Sequence, residues 1–236
     1  MKTMMKKIAR LSLALMFAMV LLVSNYTETD AATKVRYTYK TYDKSQTYRG
    51  KSCTIRDVEK YRRVIIKGKS KAVRKINQVL KETCDGVLKA MPAGEWVKED
   101  ADYRKYDETY NNIYTSKVMY NEKGIISIRI DYKWYQGGVG YRGCNCFTFD
   151  LSTGKQLKLT DVCKGSNRAL TKKIKDKLVK KYTRDAFGGS GFDSISAEKC
   201  DFYLKKGGKV VVTFDQAELS SDGAGGSHDI TLKSKY

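Results

Sequence analysis

Residues 125–135, IISIRIDYKWY, alternate without a break. Ile126, Ile128, Ile130, Tyr132 and Trp134 fall on one side, and Ser127, Arg129, Asp131 and Lys133 on the other. A period of two is the signature of a β-strand with one apolar face, and it excludes an amphipathic helix here. Residues 112–120, NIYTSKVMY, form a second β-rich run. Asn121-Glu122-Lys123-Gly124 lies between them and predicts a hairpin with a four-residue turn ending on glycine. An apolar sheet face must be covered, so the rest of the chain has to supply a layer.

Two segments supply it. From Ser70, the apolar residues Ile76, Val79, Leu80, Cys84, Val87, Leu88 and Met91 recur at spacings of three and four, until Pro92 and Gly94 stop the pattern. That is an amphipathic helix. Residues 166–186 give a second, with Leu170, Ile174, Leu178, Val179 and Tyr182 as its buried stripe and lysines and arginines on its other faces. Strands are expected at 35–43, 61–67, 144–151, 201–205, 209–214 and near 228–233. Residues 95–110, 136–143, 188–191 and 223–226 read as loops. The expected fold class is α+β, a largely antiparallel sheet with two amphipathic helices. Its organisation is a signal peptide at 1–31, an N-terminal α+β subdomain at 32–110 and a C-terminal one at 111–236, packed as one unit.

The first 31 residues read as an export signal. Lys2, Lys6, Lys7 and Arg10 precede a 13-residue apolar run, Leu11–Val23, interrupted only by Ser12. That run is short for a spanning helix, which needs about 20 residues. Cleavage after Ala31 fits, and an uncleaved membrane anchor is the alternative. The signal carries four cations and two anions, which leaves +18 of the formal +20 on the mature chain. Such a charge favours anionic partners: wall polymers, lipid headgroups or nucleic acid. No nucleic-acid module is visible, and export argues against that partner. The expected location is secreted or at the cell surface, with membrane contact only through an uncleaved signal.

Cys53, Cys84, Cys144, Cys146, Cys163 and Cys200 are all disulfide candidates in an exported chain. If Ser152 pairs with Lys155 and 156–159 return as a strand, Cys144 comes opposite Cys163, the preferred single bridge. No C-x-x-C pair exists, and His228 is the one histidine, so no metal site or cofactor is expected. Gly138, Gly140 and Gly143 spell G-x-G-x-x-G, but a strand rather than a helix follows them, which removes the dinucleotide reading. His228 between Ser227 and Asp229 lacks a nucleophile elbow and reads as a structural or surface residue. Adjacent Glu99 and Asp100 do not face each other as a catalytic pair. No catalytic residue is assigned, and the chain is expected not to be an enzyme. The hairpin end, Tyr135, Gln136, Gly137, Gly138, Tyr141 and Arg142, is the expected partner-binding surface.

Four segments resemble a known pair of domains of unknown function: VIIKGKSKAVRKINQVL (64–80), VMYNEKGIISIRIDYKWYQGG (118–138), FTFDLSTGKQLKLTDV (147–162) and VVVTFDQAELSSDGAGGSHDITL (210–232). Those domains form the extracellular part of RsiV-type anti-sigma factors and the N-terminal part of PdaC-type peptidoglycan deacetylases. The resemblance implies an α+β domain at a Gram-positive-type envelope and, for the RsiV-like members, lysozyme as partner. The family's Gly-Gly-Ala-His-Gly is here Gly137-Gly138-Val139-Gly140, without the histidine. With about ten residues ahead of the apolar run, neither a cytoplasmic anti-sigma segment nor a deacetylase domain is expected. The resulting expectation is a secreted, non-enzymatic binding module contacting an anionic wall polymer or an envelope protein. A lysozyme-binding inhibitor or sensor and a wall-glycan-active enzyme are the alternatives.

Overall fold

The alternating segment is an inner strand of a five-stranded sheet. In the computed structural model, the described residues are 34–90, 95–182, 187, 189–215, 218, 219 and 227–236. The first sheet runs in spatial order β1 (Tyr37–Arg49), β2 (Thr54–Ile66), β3 (Glu108–Glu122), β4 (Ile125–Gln136) and β5 (Val139–Asp150). All neighbours are antiparallel except β2 and β3, which are parallel. A parallel pair needs a long crossover, and α1 (Lys71–Ala90) and α2 (Glu95–Tyr103) lie in it. After β5 come α3 (Leu159–Val162), α4 (Asn167–Tyr182) and α5 (Gly189–Asp193). A three-stranded antiparallel sheet follows, built from β6 (Asp201–Lys205), β7 (Lys209–Phe214) and β8 (His228–Lys233). Residues 34–236 form one compact unit. The fold is α+β with largely antiparallel sheets.

Alternation decides which side chains meet. On one face of the first sheet, Tyr61, Val64, Ile66, Ile126, Ile128, Ile130 and Phe149 pack against Val73, Ile76, Leu80 and Cys84 of α1. The opposite face is covered by the second sheet, where Tyr203 and Val211 meet Cys144 and Cys146. The second sheet's other side, Phe202, Leu204, Val210, Val212 and Phe214, packs on Leu170, Ile174 and Leu178 of α4. The order of layers is therefore α1, first sheet, second sheet, α4. Sitting between two layers explains why 209–214 is nearly continuous in apolar residues rather than alternating. Ser127 is buried under the second sheet, where it shares a hydrogen bond with Thr148 (2.7 Å) and accepts the Leu204 amide (3.1 Å).

Several expectations need correction. β1 and β2 run 13 residues each, well past 35–43 and 61–67, because they pair along their whole length. Residues 95–103 are helical, and Val97 and Ala101 bury against Ile55 and Tyr110. The turn after β3 has two central residues, Lys123 (φ 52°) and Gly124 (φ 70°). Residues 136–143 are not a loop: Gly137 (φ 56°) and Gly138 (φ 92°) alone turn the chain, and Gln136 already pairs with Val139. Both hairpins use the positive-φ turns whose twist suits antiparallel strands. Gly191 lies in a short helix; a Cβ there would stand 2.4 Å from the Glu218 carbonyl oxygen. Val179 is 37% exposed and leaves the α4 stripe.

The return strand at 156–159 also fails to form. Phe149 and Gln156 make one bridge, and then α3 turns the chain away. Cys163 ends in the core under α4, while Cys144 lies between the sheets, so the expected Cys144–Cys163 bridge is not made. All six cysteines are free thiols. Cys53 and Cys84 sit in two further clusters, and Cys200 packs against the α4 core. The expectations on the export signal, on Met91, Pro92 and Gly94, and on the 223–226 loop lie outside the described residues.

Candidate functional site

The register of β3, β4 and β5 writes out one face of the first sheet as successive rungs. These are Lys117–Arg129–Cys146, then Thr115–Asp131–Cys144, then Ile113–Lys133–Arg142, then Asn111–Tyr135–Gly140. The second sheet covers the first two rungs at β5, and no other described element covers the remainder. Here lie two cavities. One of about 420 Å³ is lined by Lys117, Arg129, Asp131, Lys133, Arg142 and Ser227, among others. The other, about 410 Å³, includes Asn111, Lys133, Tyr135, Gly140 and Arg142. Lys133 and Arg142 belong to both.

Two rungs set like charges directly opposite each other: Lys117 facing Arg129, and Lys133 facing Arg142. Such cross-strand pairs are unfavourable unless a counter-charge intervenes. Asp131 does so for the first, bonded to Lys117 (2.8 Å) and Arg129 (2.5 Å). Burial opposes ionisation of Asp131, but the hydrogen bonds from Lys117 and Arg129 prevail and hold its carboxyl below the usual range. Arg129 is the fixed member, with its side chain only 19% exposed. It stacks over Tyr203 at 5.4 Å and also approaches Asp229 (3.7 Å). Lys133 is exposed and makes no ion pair among the described residues.

The expected binding residues divide. Tyr135 and Arg142 stand on this open face, and Tyr135 is 39% exposed. Tyr141 belongs to the opposite face, in a row of stacked rings that crosses the sheet: Tyr61–Tyr114 (5.4 Å), Tyr114–Tyr132 (5.5 Å), Tyr132–Tyr141 (6.1 Å) and Tyr141–Trp134 (6.4 Å). Gln136 closes the ladder, and Gly137 and Gly138 serve the turn; the Gly137 carbonyl accepts a hydrogen bond from Arg104 (2.8 Å). Lys117, Arg129, Asp131 and Lys133 were missed. They are the polar members of the 125–135 alternation and their β3 partner, and the sequence alone did not say which polar face stays uncovered.

Two carboxylates finish the open edge of β5. Asp215 accepts the Cys144 amide (2.7 Å) and the Tyr132 hydroxyl (2.7 Å), and Asp201 accepts the Cys146 amide. Edge strands need such cover. Gly143 sits beneath Tyr132, and a Cβ on it would stand 2.5 Å from both the Tyr132 ring and the Asp215 carboxylate. Gly143→Ala is expected to cost about 2 kcal/mol by overpacking, read by urea denaturation.

Burial, with smaller contributions from Asp215 and Glu218, pushes the Asp201 carboxyl up to about 6. A carboxyl raised in the folded state stabilises fully below its unfolded value of about 4, and that contribution is lost as pH rises through about 6. Asp201→Asn keeps an acceptor for the amide and removes the charge. It is expected to stabilise the protein by about 2 kcal/mol at pH 7.5 and by almost nothing at pH 4, in paired thermal melts. The neighbouring thiols act on each other. The Cys146 thiol, with Thr213 and Arg129, holds the Cys144 thiol below its ordinary range, while Cys144 and burial push Cys146 up. On β2, Asp57 and Glu59 are buried carboxylates pushed up by desolvation, and neither lines the cavities above. His228 is buried, edge-on to Tyr182 at 4.7 Å.

The architecture is that of an α+β domain, and its likeness to solved structures is one of fold. A crystal structure of a member of the DUF3298 family from Bacteroides fragilis is similar over 85% of this chain and 91% of its own, at 18% identity and a TM-score of 0.51. A DUF3298 family protein from Pseudomonas aeruginosa covers 84% and 90% at 12% identity, with a TM-score of 0.47. No protein-family model matches the sequence, and no curated protein matches it. The structural neighbours are thus domains of unknown function.

Proposed function

We propose that the chain is an exported, non-enzymatic binding module of the bacterial cell envelope, and that it contacts an anionic wall polymer through the open face of β3–β5. The observation that carries this reading is the Lys133–Arg142 rung, a like-charge cross-strand pair shared by two cavities. An anion seated in these cavities meets the exposed Lys133 ammonium on a strongly basic chain. The +18 mature charge brings polyanions to the surface. A larger cleft of about 760 Å³ gathers Lys123, Lys177, Lys209 and Lys233, but it holds flexible point charges and no arginine.

The test is co-sedimentation of the mature protein with cell wall that carries its phosphate polymer or has been stripped of it. Retention by the intact wall alone, falling as salt rises from about 0.05 to 0.5 M, is expected. Equal retention by stripped wall contradicts the reading. Saturable capture of lysozyme in a parallel pull-down would replace the polymer with a protein partner.

A further inference from the structure

The cleft of about 760 Å³ is lined from two hairpin turns, by Glu122 and Lys123 at the β3–β4 turn and by Gly207 and Gly208 between β6 and β7. Beside it the second sheet carries a complete lysine rung: Lys209 pairs with Lys205 on one side and with Lys233 on the other. Like charges set directly opposite each other are unfavourable in a sheet. All three are exposed and make no ion pair among the described residues, and Lys205 lies over the Tyr203 ring at 5.5 Å. Lys123, Lys177 of α4 and Lys206 of the β6–β7 turn are further exposed lysines without an ion pair. Glu122, a carboxylate in the lining, is taken by Lys34 (3.4 Å). Lysine point charges drawn from separate elements, with no arginine fork among them, are poor at fixing one rigid anion. They suit anions that move to meet them. Anionic phospholipid headgroups do so, because they diffuse in the plane of the bilayer, and their surface potential acts on lysines within a Debye length. Tyr236, 39% exposed in the same cleft, is an amphipathic ring of the kind that sits at headgroup level.

We infer that the lysine rung Lys205–Lys209–Lys233, with Lys123 and Lys177, docks the protein on an anionic phospholipid bilayer without help from the signal segment. Its residues are other than those of the β3–β5 face, so either surface can fail without the other.

The experiment is co-sedimentation of residues 32–236, which contain the compact unit 34–236, with two kinds of vesicle. One is phosphatidylcholine alone, and the other carries about one-third phosphatidylglycerol. Binding to the anionic vesicles alone, falling as salt rises, is expected. Lys209→Gln/Lys233→Gln should lower the partition coefficient about 30-fold, roughly fivefold for each lysine, and leave retention on wall polymer within about threefold. Both side chains are exposed, so the variant keeps the core of the parent. Lys133→Glu should do the reverse, weakening wall-polymer retention and leaving vesicle binding within about threefold. Equal binding to neutral vesicles, or anionic-vesicle binding that survives Lys209→Gln/Lys233→Gln, overturns the inference and leaves the polymer reading in place. Loss of vesicles and wall polymer together in that variant makes the lysine rung a general polyanion site and overturns both assignments. Vesicle binding that depends on these lysines, in a chain that ignores wall polymer, supports the inference and removes the polymer reading.

Discussion

Asp215→Ala is expected to lower the free energy of unfolding by about 3 kcal/mol, with a fall in melting temperature near 10 °C. The Asp215 carboxylate is the common acceptor for the Cys144 amide and the Tyr132 hydroxyl, each at 2.7 Å. Truncation leaves a β5 edge amide and a partly buried phenol without that acceptor, and an unpaired polar group is costly. It also cuts the link that ties the end of β7 to the hairpin carrying the cationic rung. Asp215→Asn keeps one acceptor and should cost about half as much. A loss below about 1 kcal/mol for the alanine variant would mean that the edge is held by other contacts.

The second large effect is on binding. The double variant Lys133→Glu/Arg142→Glu removes both cations of the rung, and its stability is measured beside its binding. Its affinity for the wall polymer should fall at least about 30-fold at low salt, with a shallower salt dependence. Lys133→Glu alone separates the two properties. It sets opposite charges across the rung, which should add about 0.5 kcal/mol of stability while it weakens binding. A variant that gains stability and loses affinity is the mark of a rung arranged for a ligand. Reversing Lys175 and Lys180 on α4 should leave affinity within about threefold if the cationic rung, and not charge in general, is the site. A fall as large as that of the hairpin variant contradicts it.

How much could be read beforehand depended on whether the signal was local. The 125–135 alternation, the helix entered at Ser70 and the three last strands were legible, because period and turn residues report on the chain itself. Helix α2 was not: among its described side chains Val97 and Ala101 are the buried ones, and the surface that receives them comes from β2 and β3. The pairing at 156–159 on which the Cys144–Cys163 bridge was conditional gives way to α3 for the same reason: Leu159 and Val162 are placed by the α4 core rather than by their neighbours in sequence. The hairpin end was legible as the meeting of two strands. The residues named there fall on both faces of the sheet, because no sequence signal says which face the second sheet covers. The cysteine expectation shows the same limit: pairing depends on register across elements, and a helical turn before Cys163 removed it.

The most direct test of the account is chemical-shift mapping of the labelled mature protein with purified anionic wall polymer. The account predicts that perturbations concentrate at residues 111–117, 129–135 and 140–143, and fade together as salt is raised. Perturbations centred on α4, or on the lysine cleft around Lys123 and Lys209, would contradict it.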